Sequence, residues 1–187
     1  MDAITALHTR LSTPRLTDPG PSQDDLACLL RAAMRAPDHG ILRPWRFVIL
    51  EGDQRKLLGE IFAAAQLVDD PESEPAVLDK VRSNPLRAPT VMVVVAETDV
   101  GNRVPVVEQV MAVAAATQNM MVAAHAMGIG AMWRTGRMAS HDLVKERLGF
   151  ASKDEVVAYL YLGTPTGSCK ALPDESYEPY LRELPNA

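Results

Sequence analysis

Cysteine is scarce in this chain of 187 residues: Cys28 and Cys169 stand far apart and form no C-x-x-C pair. That excludes a disulfide-framed scaffold and points to a reduced, cytoplasmic chain in which neither thiol is assigned a role. An excess of positive charge is also missing. Lys+Arg number 19 against 24 Asp+Glu, a formal net charge of −5, so no basic face is expected to track the phosphates of a nucleic acid. Long uninterrupted apolar runs are absent too. The longest candidate, residues 104–127, is broken by Glu108, Gln109, Gln118, Asn119 and His125 and reads as a buried central helix, with no membrane partner. Residues 1–12 alternate polar and apolar positions without the apolar centre of a leader peptide.

Several catalytic signatures are lacking as well. No G-x-S-x-G elbow is present, and Ser12, Ser22, Ser140 and Ser152 have no evident histidine partner, which leaves acyl transfer unsupported. The histidines at 8, 39, 125 and 141 stand in no H-E-x-x-H, so no metal is expected. Gly128-Ile-Gly130 contains G-x-G, but it follows a helix and precedes a strand, the reverse of the order that offers a helix N-terminus to a pyrophosphate.

What is present is a core. Apolar residues make up 47% of the chain, enough for one domain spanning 1–187. The patterning predicts a helix over 2–10, then a loop over 12–21 whose three prolines stop it. Ser22 and Asp25 form a capping-box pair ahead of Leu26, Leu29, Leu30, Ala33 and Met34, predicting a helix over 23–35. Strands are predicted over 46–50, 90–96 and 155–162, and a short one within 128–136. Helices are predicted over 54–67, 104–127 and 140–148, with the acidic stretch 69–75 as a surface loop or lid. The run Thr90-Val-Met-Val-Val-Val-Ala96 is that of a strand buried on both faces. Helices separate most strands without a repeat, so the fold class is α+β, a central mixed or antiparallel sheet flanked by helices.

The remaining chemistry lies in isolated cations near element ends: Arg10, Arg15, Arg35 beside His39, and Arg134. Arginine suits phosphate because its planar fork makes two charge-assisted hydrogen bonds, and Ser12 adds a hydroxyl.

Three segments in order resemble a known family. Arg10-Leu-Ser-Thr-Pro-Arg15 resembles the R-R-S-x-R opening of the nitroreductase-like flavoproteins. Ala36-Pro-Asp-His39 with Pro44-Trp-Arg-Phe47 resembles their S/A-P-S and Q-P-W-x-F segments, and Met127 to Gly136 resembles their G-L-G-x-x-W turn. The short length is similar to that of the minimal, YdjA-like subgroup. Departures stand at Leu11 for a basic residue, Ile41 for Asn, Arg43 for Gln, and in the two residues between Ser12 and Arg15.

The resemblance implies a nitroreductase-like fold in a domain-sharing homodimer with FMN at the interface. NADH or NADPH is then the electron donor, and a small molecule such as a nitroaromatic or quinone the acceptor, in ping-pong order. By the same resemblance Arg10, Leu11 and Ser12 contact phosphate and ribityl, and Arg15 approaches the polar edge of the isoalloxazine. Arg35, Pro37 and His39 reach the flavin from the other subunit. Trp133, Arg134 and Thr135 form the turn that closes on it. No side chain is implied as nucleophile or general base. A flavin store or sensor without turnover, or a different flavin reaction on the same fold, are the alternatives.

Overall fold

The predicted run at 90–96 folds as β3 (Thr90–Ala96), a strand buried along its whole length. The computed structural model describes residues 1–167 and 175–184; Cys169 lies outside the described residues. β3 lies between β2 (Trp45–Glu51) and β5 (Glu155–Pro165) and is antiparallel to both. β4 (Gly130–Arg134) and the two-residue β1 (Leu16–Thr17) also pair with β5, again antiparallel.

Successive side chains of a strand point to opposite faces, and β3 divides the core accordingly. Met92, Val94 and Ala96 pack with Leu29, Val113, Met120 and Leu160. Val91, Val93 and Val95 pack with Leu58, Phe62, Tyr159 and Tyr161. Each such large apolar side chain contributes about 1.5–3 kcal/mol on burial. A continuous apolar strand is usual in parallel sheets; it occurs in this antiparallel one because helices cover both faces. α2 (Gln23–Ala33) and α5 (Val106–Ala126) cover the first face. α3 (Asp53–Asp69), α6 (Arg137–Ser140) and α7 (Asp142–Arg147) cover the second, with α4 (Pro75–Ser83) packed on α3 and α1 (Ala3–Thr9) packed on α5.

α2 begins as expected. The Ser22 hydroxyl accepts from the Asp25 N–H, and the Asp25 carboxylate accepts from the Ser22 N–H, so two otherwise orphaned donors are satisfied reciprocally. It ends at Ala33, so Arg35 lies beyond the helix rather than in its last turn. In α5, Gln109 is buried and does structural work: its amide accepts from the Asp99 N–H and donates to the Asp99 and Val104 carbonyls, tying down the loop ahead of the helix. The rest of α5 is covered within its own chain more fully than its composition suggests. Ala112, Val113, Ala116, Met120, Met121 and Ala124 are buried, while Val107 and Met111 remain 57% and 62% exposed.

Two expectations are corrected and one helix is added. The stretch at 69–75 is an exposed loop as expected, the short turn of a helical hairpin between Asp69, which ends α3, and Pro75, which starts α4, a helix the sequence reading missed. Pro75 fits there because the first helical position has no N–H to satisfy. The helix over 140–148 is two short helices separated at His141, whose extended backbone and ring nitrogen cap α7. The proline-rich segment 12–21 contains β1. Among the described residues no helix is long and apolar enough to cross a membrane, and no group of three or more His, Cys, Asp or Glu could hold a metal.

Candidate active site

The residues singled out from the sequence fall into three groups. In the first, Arg10 caps α1, its N–H donating to the Ala6 carbonyl. Thr9, one residue earlier, bonds through Oγ1 to His125 Nε2 of α5 at 2.9 Å, which docks the end of α1 onto the C-terminal end of α5. The chain then runs beside β4, the Thr13 N–H donating to the Ala131 carbonyl at 2.8 Å. Leu16 packs on Gly130, where a Cβ would lie 2.5 Å from the leucine methyl and 3.1 Å from the Gly163 carbonyl, so a larger residue there would push the leucine side chain aside. Leu11 and Thr13 line a cleft of about 160 Å³ with Met121, His125 and Pro165. Arg10 Nη1 is buried without an acceptor, Leu11 is half-buried, and Ser12 and Arg15 are exposed.

The second group follows α2. Arg35 and Pro37 are exposed, and His39 sits in a short 3₁₀ turn with its Nδ1 2.6 Å from Glu108 Oε2 in the first turn of α5. That contact makes Nδ1 the donor and leaves Nε2 outward. The loop is strained: besides Gly40, Ile41 (φ 54°) and Arg43 (φ 51°) adopt left-handed backbone. For a β-branched residue this is an outlier, costing of order 1–3 kcal/mol. The Asp38 carboxylate holds the turn by accepting from the Arg43 N–H at 2.7 Å. Two of the family-pattern departures, Ile41 and Arg43, are thus the two strained positions.

The two groups are far apart in one chain. One docks at His125 and the other at Glu108, about 25 Å along α5 at 1.5 Å per residue. That approaches the width of a small domain.

The third group is divided by β4. The Trp133 Nε1–H donates to the Val157 carbonyl at 3.0 Å and the residue packs against the α5-side core, a structural role. Arg134 alternates to the opposite face, its guanidinium 5.6 Å from the centre of the Tyr161 ring and its Nε buried without an acceptor. Thr135 is exposed at the strand end, and Gly136 (φ 99°) makes the turn. Arg134 and Thr135 open onto a cavity of about 410 Å³ with Asn84, Arg87, Phe62, Tyr159 and Tyr161. Burial pushes up the pKa of the Tyr161 hydroxyl, partly offset by the positive charges of Arg134 and Arg87. It also pushes up that of Tyr159, whose hydroxyl donates to the Met138 carbonyl.

Sequence reasoning missed Glu108, Asn84, Arg87 and the two tyrosines. Tyr159 and Tyr161 were legible as same-face neighbours on a strand. Glu108 stood only as a polar break in an apolar helix, and nothing local connects Arg87 to β4.

Residues 8–164 match the model of the Nitroreductase family. The Escherichia coli (strain K12) protein named "Putative NAD(P)H nitroreductase YdjA" is 38% identical over 165 residues, covering 88% of this chain and 89% of that one. A nitroreductase-like family protein from Bacillus cereus superimposes with a TM-score of 0.84 at 22% identity, over 100% of this chain and 97% of its own. A structure from Desulfovibrio desulfuricans, determined in complex with FMN, superimposes with a TM-score of 0.71 at 25% identity over 100% and 99% of the two chains. With the family match running from His8 through Thr164, across all three groups and the whole sheet, this chain belongs to the nitroreductase family.

Proposed function

We infer that the protein is an FMN-dependent oxidoreductase that takes hydride from NADH or NADPH and delivers it to a small acceptor, nitroaromatic or quinone in type. It works as a homodimer with two flavin sites, each drawing on both chains. The observation that carries this reading is Arg10: a guanidinium N–H buried without an acceptor, two residues from the exposed hydroxyl of Ser12, in a chain of this family. A buried donor without a partner costs about 1–3 kcal/mol, and a terminal phosphate supplies the acceptor. No carboxylate stands among residues 10–15 to supply it instead. The residues present therefore fit FMN.

Bound FMN supplies the hydride relay between donor and acceptor. The chain's own residues hold it. Arg10 and Ser12 take the phosphate, Leu11 borders the ribityl chain, and Arg15 approaches the polar edge of the ring. The turn of Trp133, Arg134 and Thr135 borders the phosphate side through its backbone and the Thr135 hydroxyl, the Arg134 side chain being engaged over Tyr161. Arg35, Pro37 and His39 come from the partner chain, because in their own chain His39 is held at the far end of α5 from the docking point of Thr9. Glu108 fixes the His39 ring through Nδ1, so that Nε2 would be the nitrogen offered to the flavin held by the partner chain. Donor and acceptor would use the bound flavin in turn, in ping-pong order. No side chain is required as nucleophile or general base.

Anaerobic titration with NADH and with NADPH tests this. The yellow protein should bleach with one of them and recover its colour on addition of an acceptor. A yellow protein that neither nucleotide bleaches contradicts the enzyme reading and returns the chain to a flavin store.

A further inference from the structure

The loop from Asp38 to Arg43 is held more firmly than a connection between two elements requires. The Asp38 carboxylate accepts from the Arg43 N–H at 2.7 Å, and the Arg43 carbonyl accepts from Arg46 Nη1 at 3.0 Å, while Arg46 is itself paired with Glu97. Pinned from both sides, Ile41 and Arg43 keep left-handed backbone, yet neither side chain is used by the fold. Ile41 is 73% exposed, and Arg43 is exposed with no ion-pair partner among the described residues. Strain that neighbouring contacts over-determine belongs to ligand clamps more than to packing. The acidic groups bordering the loop are already engaged: Asp38 by the Arg43 N–H, Glu97 by Arg46 and Glu108 by His39. The turn also rests on Val104, whose Cγ2 methyl would lie 3.2 Å from a Cβ on Gly40. That contact brings the neighbouring Arg103 to the same corner, exposed and likewise without an ion-pair partner among the described residues.

We propose that this corner receives the 2′-phosphate of NADPH, with Arg43 and Arg103 on the phosphate and Ile41 against the adenosine, so that NADPH is the preferred electron donor. The inference rests on the flavin reading and narrows it from either nucleotide to one. Arginine suits this group because its planar fork gives two charge-assisted bonds to phosphate oxygens, and an arginine is what accommodates a 2′-phosphate elsewhere. None of Ile41, Arg43 and Arg103 is given to FMN. Arg43 stands four residues beyond His39, at most about 14 Å along the chain. The dinucleotide carries its 2′-phosphate at the end opposite the nicotinamide, so the cations that hold it belong beside the flavin contact and not on it.

Calorimetric titration of the flavin-loaded protein with NADP⁺ and with NAD⁺ tests the proposal, since the oxidised nucleotides bind without transferring hydride. NADP⁺ should bind about tenfold more tightly or better, the size expected for a charge-assisted contact. In Arg43→Gln the ratio of the two affinities should fall toward one, and Arg43→Lys should retain part of it. Arg43→Gly removes the cation while suiting the left-handed backbone, so it should lose the preference without losing thermal stability, which separates binding from folding. Equal affinity for the two nucleotides in the parent, tighter binding of NAD⁺, or an unchanged ratio in both Arg43→Gln and Arg43→Gly overturns the proposal. A protein that NADH and NADPH both bleach, with equal affinities, fails this inference alone; one that neither bleaches fails the flavin-enzyme reading beneath it.

Discussion

Two sets of arginines divide the molecule. On the outer helices Arg82 of α4 lies 3.1 Å from both Glu60 and Asp79 and Arg137 of α6 meets Asp69, while Arg55 of α3, with its Nε also buried without an acceptor, donates through Nη1 to the Ala88 carbonyl. At the flavin-side segments and in the cleft beside Arg87 they are not paired. Arg10 and Arg134 each keep a buried N–H without an acceptor, and Arg87 has no carboxylate partner among the described residues. Exposed pairs contribute little to stability, since Coulomb attraction in water is weak and holding two long side chains costs entropy. An orphaned buried donor is a liability to the fold. The first set tolerates loss; the second makes physical sense when a ligand completes it.

The largest test of that contrast is Arg10→Ala. Flavin binding should weaken by about 1.5–3 kcal/mol, the range for hydrogen bonds to charged groups, which is roughly ten- to 150-fold in Kd. The melting temperature of the flavin-free protein should stay the same or rise, because the orphaned donor is gone. Full flavin occupancy in the variant at low cofactor concentration would make Arg10 an ordinary surface charge.

On the other side of the contrast, what holds the outer layer is contact rather than charge. Gly59 of α3 packs against α4 so closely that a Cβ there would overlap the Arg82 carbonyl. Gly59→Ala should destabilise the fold by about 1–3 kcal/mol, despite alanine's better helix propensity, with flavin affinity per folded molecule unchanged. Chemical denaturation would show it, and a variant as stable as the parent would mean that the helices separate freely.

A smaller effect is expected in acid. Burial pushes the pKa of Asp154 up, but the N–H groups of Thr98 and Ala151 and the ammonium of Lys153 outweigh it, leaving the carboxyl below its ordinary 3.8. A depressed folded pKa contributes stability above the unfolded value and loses it as pH falls through the folded one. Stability should therefore drop below about pH 4, and Asp154→Asn should flatten that limb while lowering stability at neutral pH. An unchanged acid limb would remove Asp154 from the account. The smallest effect belongs to Arg82→Ala, for which melting temperature and flavin affinity should both match the parent; a loss of flavin would erase the distinction between the two arginine sets.

Much of this architecture was legible in the sequence because it rests on local patterns. The capping box at Ser22, the β-branched run at 90–96 and the helical spacing of Leu26, Leu29 and Ala33 each carry their own signal. α4 was hidden because its apolar positions are few and Pro71, Pro75 and Pro85 surround it with turn signals. The break at His141 depends on a side chain capping its own backbone. The site was legible where residues sit in contiguous motifs, as at 10–15. It was not where distant segments meet, as Glu108 does His39 and Arg87 does Arg134. Left-handed backbone at Ile41 and Arg43 opposes local preference outright, and nothing in the composition announces it.

The central claim is that one flavin needs two chains, because His39 and the docking point of Thr9 stand about 25 Å apart along α5. Val107 and Met111 of that helix, with Ile4 and Leu7 of α1, are exposed and would supply apolar surface for a second copy. Sedimentation velocity followed at the flavin absorbance band tests this most directly. On dilution, dimer and bound flavin should be lost together, since each stabilises the other by mass action. A yellow monomer persisting at submicromolar concentration would contradict the shared site and leave Arg35, Pro37 and His39 as ordinary loop residues.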